Sequence, residues 1–289
     1  MADRRCGVPE NVPGAFFVDR TCIDCDTCRQ LAPEVFAAAG EYSFVTAQPI
    51  DPSQTRRALE ALVACPTGSI GGGDAAGAKQ AADSFPLQVE NDVFYCGFHS
   101  PKSYGGASYL VRHPGGNWLV DSPRYVERLA RRIEEMGGVR YIFLTHRDDV
   151  ADAEKYAARF GSERIIHRLE LLAQPTAERI LDGFEPVTLA PGFVAVPTPG
   201  HTAGHCVLLY RERYLFSGDH LWWSPYQNRL TAGRDVCWFS WQQQAASMAR
   251  LTGFRFEWVL PGHGRRVRLS ADEARAEVAA LAGRMATAA

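Results

Sequence analysis

Residues 198–205 read Thr-Pro-Gly-His-Thr-Ala-Gly-His, and three further stretches of the same character lie on either side of them. Leu-Thr-His-Arg-Asp-Asp fills 144–149, Phe-Ser-Gly-Asp-His fills 216–220 and Leu-Pro-Gly-His-Gly fills 260–264. Together they hold five of the eight histidines, at positions 146, 201, 205, 220 and 263. The apolar runs around them read as strands: 139–145 is a buried strand that stops at His146, 205–211 and 214–219 form a strand pair, and 258–262 is another. Ligand-type residues just beyond strand ends are how layered α/β architectures build sites. Imidazoles and a carboxylate converging from separate loops suit a borderline cation such as zinc or iron. Thr and Gly surroundings set His146, His201 and His263 apart from core histidines. His205 and His220 read as supporting or surface residues, and His99, His113 and His167 carry no motif and read as structural.

The chain around these motifs is ordinary in composition. Its 289 residues are 46% hydrophobic and 22% charged, which excludes a disordered chain. With 31 basic and 33 acidic residues the net charge is −2, so no strong field favours nucleic acid or an anionic membrane. No apolar run approaches a spanning helix, and the opening MADRRCGVPENVPG lacks the core of a signal peptide. A cytoplasmic protein is expected, with neither nucleic acid nor membrane as partner. Residues 68–84 are rich in Gly and Ala without apolar periodicity and read as a linker, dividing a first domain, 1–80, from a second, 85–289. In the first, Asp51 and Pro52 open a helix over 52–64 with Leu59, Leu62 and Val63 as its buried stripe. In the second, Ser122-Pro123 starts a helix that ends at Gly137-Gly138, and Ser270 with Glu273 forms a capping box before the last helix.

In a reducing compartment a tight cysteine cluster points to metal before disulfides. Of the eight cysteines, Cys22, Cys25 and Cys28 are spaced by two residues, and Cys65-Pro66 follows much later at the predicted end of the 52–64 helix. Three thiolates from one loop and a fourth from a helix end supply the four soft ligands of an iron–sulfur cubane. A structural zinc site is the alternative, although zinc favours paired Cys-x2-Cys units. Cys6 has no partner in this pattern. The segment VDRTCIDCDTCRQLAPEVF together with ACPTGSI resembles the single-cluster bacterial ferredoxins over nearly all of the first domain. The resemblance implies one 4Fe-4S cluster of low potential on Cys22, Cys25, Cys28 and Cys65.

NWLVDSP, TPGHTAGH, LFSGDH and LPGH, in that order and spacing, resemble the metallo-β-lactamase superfamily from Ser108 through His263. The implied class is α+β: a small ferredoxin-like N-terminal domain followed by a four-layer αββα metallo-β-lactamase-type sandwich with metals at one edge. The resemblance makes His201, Asp219 and His263 the third histidine, the bridging aspartate and the last histidine. One motif departs from the family's H-x-H-x-D-H. His146 is kept, Asp148 stands for the second histidine, and Val150 and Ala151 stand where the Asp-His pair belongs; Asp152 comes two residues late. The expected metal ligands are therefore His146, Asp148, His201 and Asp219 at one site, with Asp219, His263 and Asp152 left for a second. Asp148, Asp149 or Asp152 would otherwise cap the helix that follows and ends near Gly161. Trp222, Trp223, Trp238 and Trp241 read first as packing and second as an apolar wall beside the metal.

Three functions fit these residues. The first is a metal-dependent hydrolase acting on a small ester, thioester or phosphoester, with Asp219 as ligand and orienter of water. The second is a redox enzyme in which the cluster passes electrons to a zinc- or iron-type site in the second domain. The third is an electron-transfer or interaction protein on a degenerate site. No Gly-rich nucleotide or flavin motif stands between a strand and a helix, so any electrons come from an external donor.

Overall fold

The computed structural model describes residues 2–287. The chain divides into two compact units, Met1–Asn117 with Pro123–Val139, and Trp118–Ser122 with Arg140–Ala289.

In the first unit a loop carries Cys22 and Cys25 into the short helix α1 (Thr27–Leu31). Asp24 and Asp26 both adopt the left-handed conformation, φ 57° and 64°, which Asp tolerates better than most residues. The Arg29 guanidinium pairs with both carboxylates at 2.5 Å and pins the loop. Helix α2 (Pro52–Ala64) begins where the sequence places it. The Asp51 carboxylate accepts the Gln54 N–H, and the helix buries Ala58, Leu59, Ala61 and Ala64. Cys65 is its C-terminal cap, so a helix end delivers the fourth thiol.

The stretch read as a linker is ordered structure instead. Ile70–Gly71 pairs with Phe17–Val18, and α3 (Ala75–Ser84) follows with Asp74 accepting the Gly77 N–H. Alanine is the strongest helix former, and a capped alanine run needs no apolar stripe to be helical. Only Ala81 is buried, which is why the periodicity gave no sign of it. Three antiparallel strands come next: Leu87–Glu90, Val93–Tyr95 and Tyr109–Val111. Helix α4 (Glu127–Glu135) starts later than Ser122-Pro123 implies. The Arg124 N–H is drawn to the Phe98 carbonyl at 2.9 Å, away from a helical path.

The second unit is layered. Four parallel strands, Trp118–Val120, Tyr141–Phe143, Glu163–His167 and Arg179–Leu181, lie side by side. Helix α5 (Ala153–Phe160) buries Ala153, Tyr156 and Ala157 and ends at Gly161 in the left-handed conformation. Another sheet runs Val187–Ala190, Phe193–Pro197, Cys206–Tyr210, Tyr214–Gly218, Trp258–Pro261 and Val267–Arg268 in that spatial order. Helices α6 (Trp241–Leu251) and α7 (Ala271–Thr287) cover it: Met248, Leu251, Val278, Leu281 and Met285 share one core with Val196, Val207, Leu215 and Val259. The capping box forms, with Ser270 N–H to Glu273 Oε2 at 2.8 Å and Glu273 N–H to Ser270 Oγ at 3.3 Å.

Trp118 joins the two sheets. It is fully buried, stacked on Phe193 at 4.2 Å and against Tyr141 at 4.5 Å between ring centres. Removing so large a buried ring leaves a cavity between the layers, so Trp118→Ala should lower the unfolding free energy by about 3–5 kcal/mol. Chemical denaturation of the purified chain measures this; a loss below about 1 kcal/mol would contradict the layered core.

Candidate functional site

Each motif of the second unit sits where a strand ends. His146 follows Tyr141–Phe143, His201 follows Phe193–Pro197, Asp219 follows Tyr214–Gly218 and His263 follows Trp258–Pro261. Glycine permits the close approach of these loops. A Cβ on Gly262 would lie 2.4 Å from Asp149 Oδ2 and 2.9 Å from Asp219 Oδ1. Gly218, at φ 48°, would place one 2.6 Å from Thr145 Oγ1.

Four donor atoms converge. Asp219 Oδ2 lies 3.6 Å from both His146 Nε2 and His201 Nε2, and Asp148 Oδ2 lies 3.9 Å and 3.6 Å from the same two atoms. Ligands of a tetrahedral cation at about 2.0–2.2 Å stand about 3.3–3.6 Å apart, and these four histidine-to-aspartate separations lie at or just above that spacing. The two rings are perpendicular, 4.8 Å between centres. Both Nε2 atoms are buried with no hydrogen-bond partner, the state expected of nitrogens that face a cation. The His201 ring 3.6 Å away, with the charges of His146 and Arg147 behind it, holds the Asp148 carboxyl below its ordinary value. For Asp219, burial opposes ionisation, but the charge of His263, the nearby His146 ring and the hydrogen bond with His263 outweigh it and hold the carboxyl well below its ordinary range.

The second candidate group differs from the sequence reading. His146, Asp149 and Asp219 bring ligand atoms together, whereas Asp152 enters neither group among the described residues. The chain makes a tight turn over Arg147–Asp149, which sends Asp149 inward; Asp152 then starts α5 with its carboxylate 3.3 Å from Lys155 Nζ. Asp149 is 2% exposed and neither carboxylate oxygen has a hydrogen-bond partner. Burial first, and the neighbouring Asp219 second, push its carboxyl well above the ordinary range. A carboxylate in that position calls for a cation. His263 stands beside Asp219, its Nδ1 at 2.8 and 2.9 Å from the two carboxylate oxygens.

Residues behind the ligands fix their orientation. Thr145 Oγ1 lies 2.9 Å from His146 Nδ1 and 3.0 Å from both oxygens of Asp121, whose Oδ1 also accepts the Thr145 N–H. Asp121 is fully enclosed, and burial pushes its carboxyl up to about 8. His205 Nε2 accepts the Asp219 N–H at 3.2 Å, so Nδ1 carries the hydrogen and donates to Thr198 Oγ1 at 2.9 Å. Burial, then repulsion from His146 and His220, lowers the His205 pKa well below the ordinary range. His220 is also buried, its pKa lowered to about 3 by burial first, so neither residue is on the surface. The Glu170 carboxylate ties two loops together, accepting the Gly204 N–H at 2.6 Å and the Arg147 N–H at 3.2 Å. The tryptophans divide: Trp223 and Trp241 pack against the core, but Trp238 is 60% exposed and meets the His201 ring edge-on at 6.3 Å.

In the first unit Cys22, Cys25, Cys28 and Cys65 line a single pocket with Thr27 and Ser43. The Ser43 N–H points to Cys22 Sγ at 3.4 Å. Burial pushes the Cys25 thiol up to about 11 and the Cys28 thiol higher still. Thiols so buried ionise when a cation replaces the proton, and four around one pocket fit an iron–sulfur cluster.

Comparison with known proteins agrees with this division. Residues 18–72 match the family described as the 4Fe-4S single cluster domain of Ferredoxin I. The DIM-1 metallo-β-lactamase crystal structure superposes with a TM-score of 0.51 at 20% identity, covering 70% of this chain and 96% of that one. Most of the chain has the metallo-β-lactamase fold. The VMB-1 structure gives 0.51 at 18% identity, covering 70% and 96%, and the metallo-β-lactamase from Hirschia baltica 0.51 at 15%, covering 68% and 96%. A hydroxyacylglutathione hydrolase from Acidiphilium cryptum (strain JF-5) is 30% identical over 118 residues, 39% of this chain and 48% of that protein. The match thus spans about half of that relative's length. The chain joins a single-cluster ferredoxin domain to a metallo-β-lactamase fold.

Thr145→Val keeps shape and removes the hydroxyl between His146 and Asp121. Loss of such an orienting partner should weaken metal retention in the second unit about 10- to 100-fold, read by competition with a chromogenic chelator. Unchanged retention would mean that His146 needs no orienting partner.

Proposed function

We propose that the protein is a metal-dependent hydrolase of small thioesters carrying a 4Fe-4S domain. The observation behind this reading is that Asp148 Oδ2 and Asp219 Oδ2 each lie 3.6–3.9 Å from the Nε2 atoms of both His146 and His201. These four residues would hold one metal, and Asp149, Asp219 and His263 would serve a second. A bound metal supplies Lewis acidity to the substrate carbonyl and to water. The chain supplies the rest. Asp219 orients the attacking water, and Asp148, with its side chain 45% exposed, leaves the edge of the site open to solvent, which takes up the proton released by that water. Trp238 offers its exposed face to the acyl group beside His201. The choice of thioester follows the 30% identity to the hydroxyacylglutathione hydrolase.

We divide these roles between residues 1–80, which carry the cluster, and 85–289, which carry the hydrolytic site, in a reducing, cytoplasmic setting. Among the described residues no two cysteines form a disulfide, and no helix is long and apolar enough to cross a membrane. A redox reading is favoured by one feature: two histidines and a carboxylate, His146, His201 and Asp148, form the donor set that suits non-haem iron. In that case an external donor would reduce the cluster. Anaerobically prepared full-length protein should hydrolyse a glutathione thioester, lose the activity to a chelator that leaves the cluster intact, and lose it in His201→Ala with the cluster iron retained. A metal-replete protein inert toward thioesters and esters would contradict the hydrolase reading in favour of the redox one.

A further inference from the structure

A buried polar chain runs from Cys25 through three residues that ligate nothing, all within the first unit. Thr27 Oγ1 lies 3.4 Å from Cys25 Sγ, and His99 Nδ1 lies 3.0 Å from Thr27 Oγ1. The same Nδ1 bonds the Gly105 carbonyl, and the Tyr95 hydroxyl bonds His99 Nε2. Thr27, His99 and Tyr95 are all buried. These residues come from α1 and from chain well beyond it, and Gly105 closes against the cysteine loop. At φ 86° it would place a Cβ 2.7 Å from Cys25 Cβ.

The chemistry of the partners fixes the protons. A carbonyl only accepts, so His99 Nδ1 carries the hydrogen, and Nε2 of the neutral ring accepts from the tyrosine. Nδ1–H is shared between the Gly105 oxygen and Thr27 Oγ1. Thr27 therefore accepts from behind, and its own hydrogen is directed forward to Cys25 Sγ. Hydrogen bonds to cluster sulfurs offset the negative charge added on reduction, so they raise the potential.

We propose that His99 is a positioning residue for the iron–sulfur cluster: it fixes the Thr27 hydroxyl as a donor to the Cys25 thiolate and thereby makes the cluster easier to reduce. The inference rests on the four cysteines holding a cluster and is independent of the chemistry in the second unit. Iron content per full-length chain is measured first, because a wild-type chain without four irons would end the cluster reading itself. Potentiometric titration is then run anaerobically on wild type, Thr27→Val, Thr27→Ser, His99→Phe and the His99→Phe/Thr27→Val double variant. Thr27→Val and His99→Phe should each shift the potential negative, Thr27→Ser should keep the wild-type value, and the double variant should match Thr27→Val alone. Such non-additivity is the signature of one residue acting through the other. A wild-type potential in His99→Phe with four irons, or shifts that simply add, would overturn the proposal. Where His99→Phe fails to assemble the cluster, the threonine pair decides: a wild-type potential in Thr27→Val overturns the proposal, and a negative shift restored by Thr27→Ser supports it.

Discussion

A buried carboxylate facing three imidazoles is the constraint from which the second unit is built. Asp219 is 8% exposed, and ionised groups stay in such places only when paired and hydrogen-bonded. His263 meets it from one side, His146 and His201 from another, and the Asp219 N–H is held by His205. Each partner comes from a different strand end, so the sheet edge has to bring four loops to one point. That requirement explains the glycines beside the ligands: Gly218 and Gly262 stand where a Cβ would strike Thr145 or the carboxylates themselves. It also explains why Thr145, His205 and Glu170 occupy an otherwise apolar interior, where they hold these loops.

The same logic governs both units. Asp121, Asp149 and Asp219 interact closely enough that each perturbs the ionisation of the next, and four buried thiols crowd one pocket in the cysteine loop. Collections of buried acidic donors are unfavourable alone and favourable around a cation, so a metal bound there would stabilise the fold. The apolar core carries the layers, with Trp118 between the sheets and Met248 and Val278 beneath the second.

Much of this was legible in the sequence because spacing and chemistry spoke together. Cys22, Cys25, Cys28 and Cys65 announce their site by spacing alone, and His146, Asp148, His201 and Asp219 by following strand ends. The inward position of Asp149 was not legible. From residue types Asp149 and Asp152 each read as ligand or cap, but the tight turn over Arg147–Asp149 carries Asp149 inward while Asp152 stands at the start of α5 without a side-chain cap, and turn phase cannot be counted from residue types when Val150 and Ala151 intervene. Helix α3 was missed because alanines fold by propensity without an apolar stripe. His205 reads from sequence as a supporting or surface residue and His99 as structural, but what each supports depends on hydrogen-bond partners far along the chain, Asp219 and Thr27, and only the folded chain brings those together.

The account stands on a metal held between His146, Asp148, His201 and Asp219. Crystals of the anaerobically prepared full-length protein, measured on both sides of the iron and zinc absorption edges, locate metals directly. Anomalous density is expected at the four cysteines, with a separate peak bounded by those two histidines and two aspartates. Density at the cysteines alone, from protein prepared with ample iron and zinc, would contradict it.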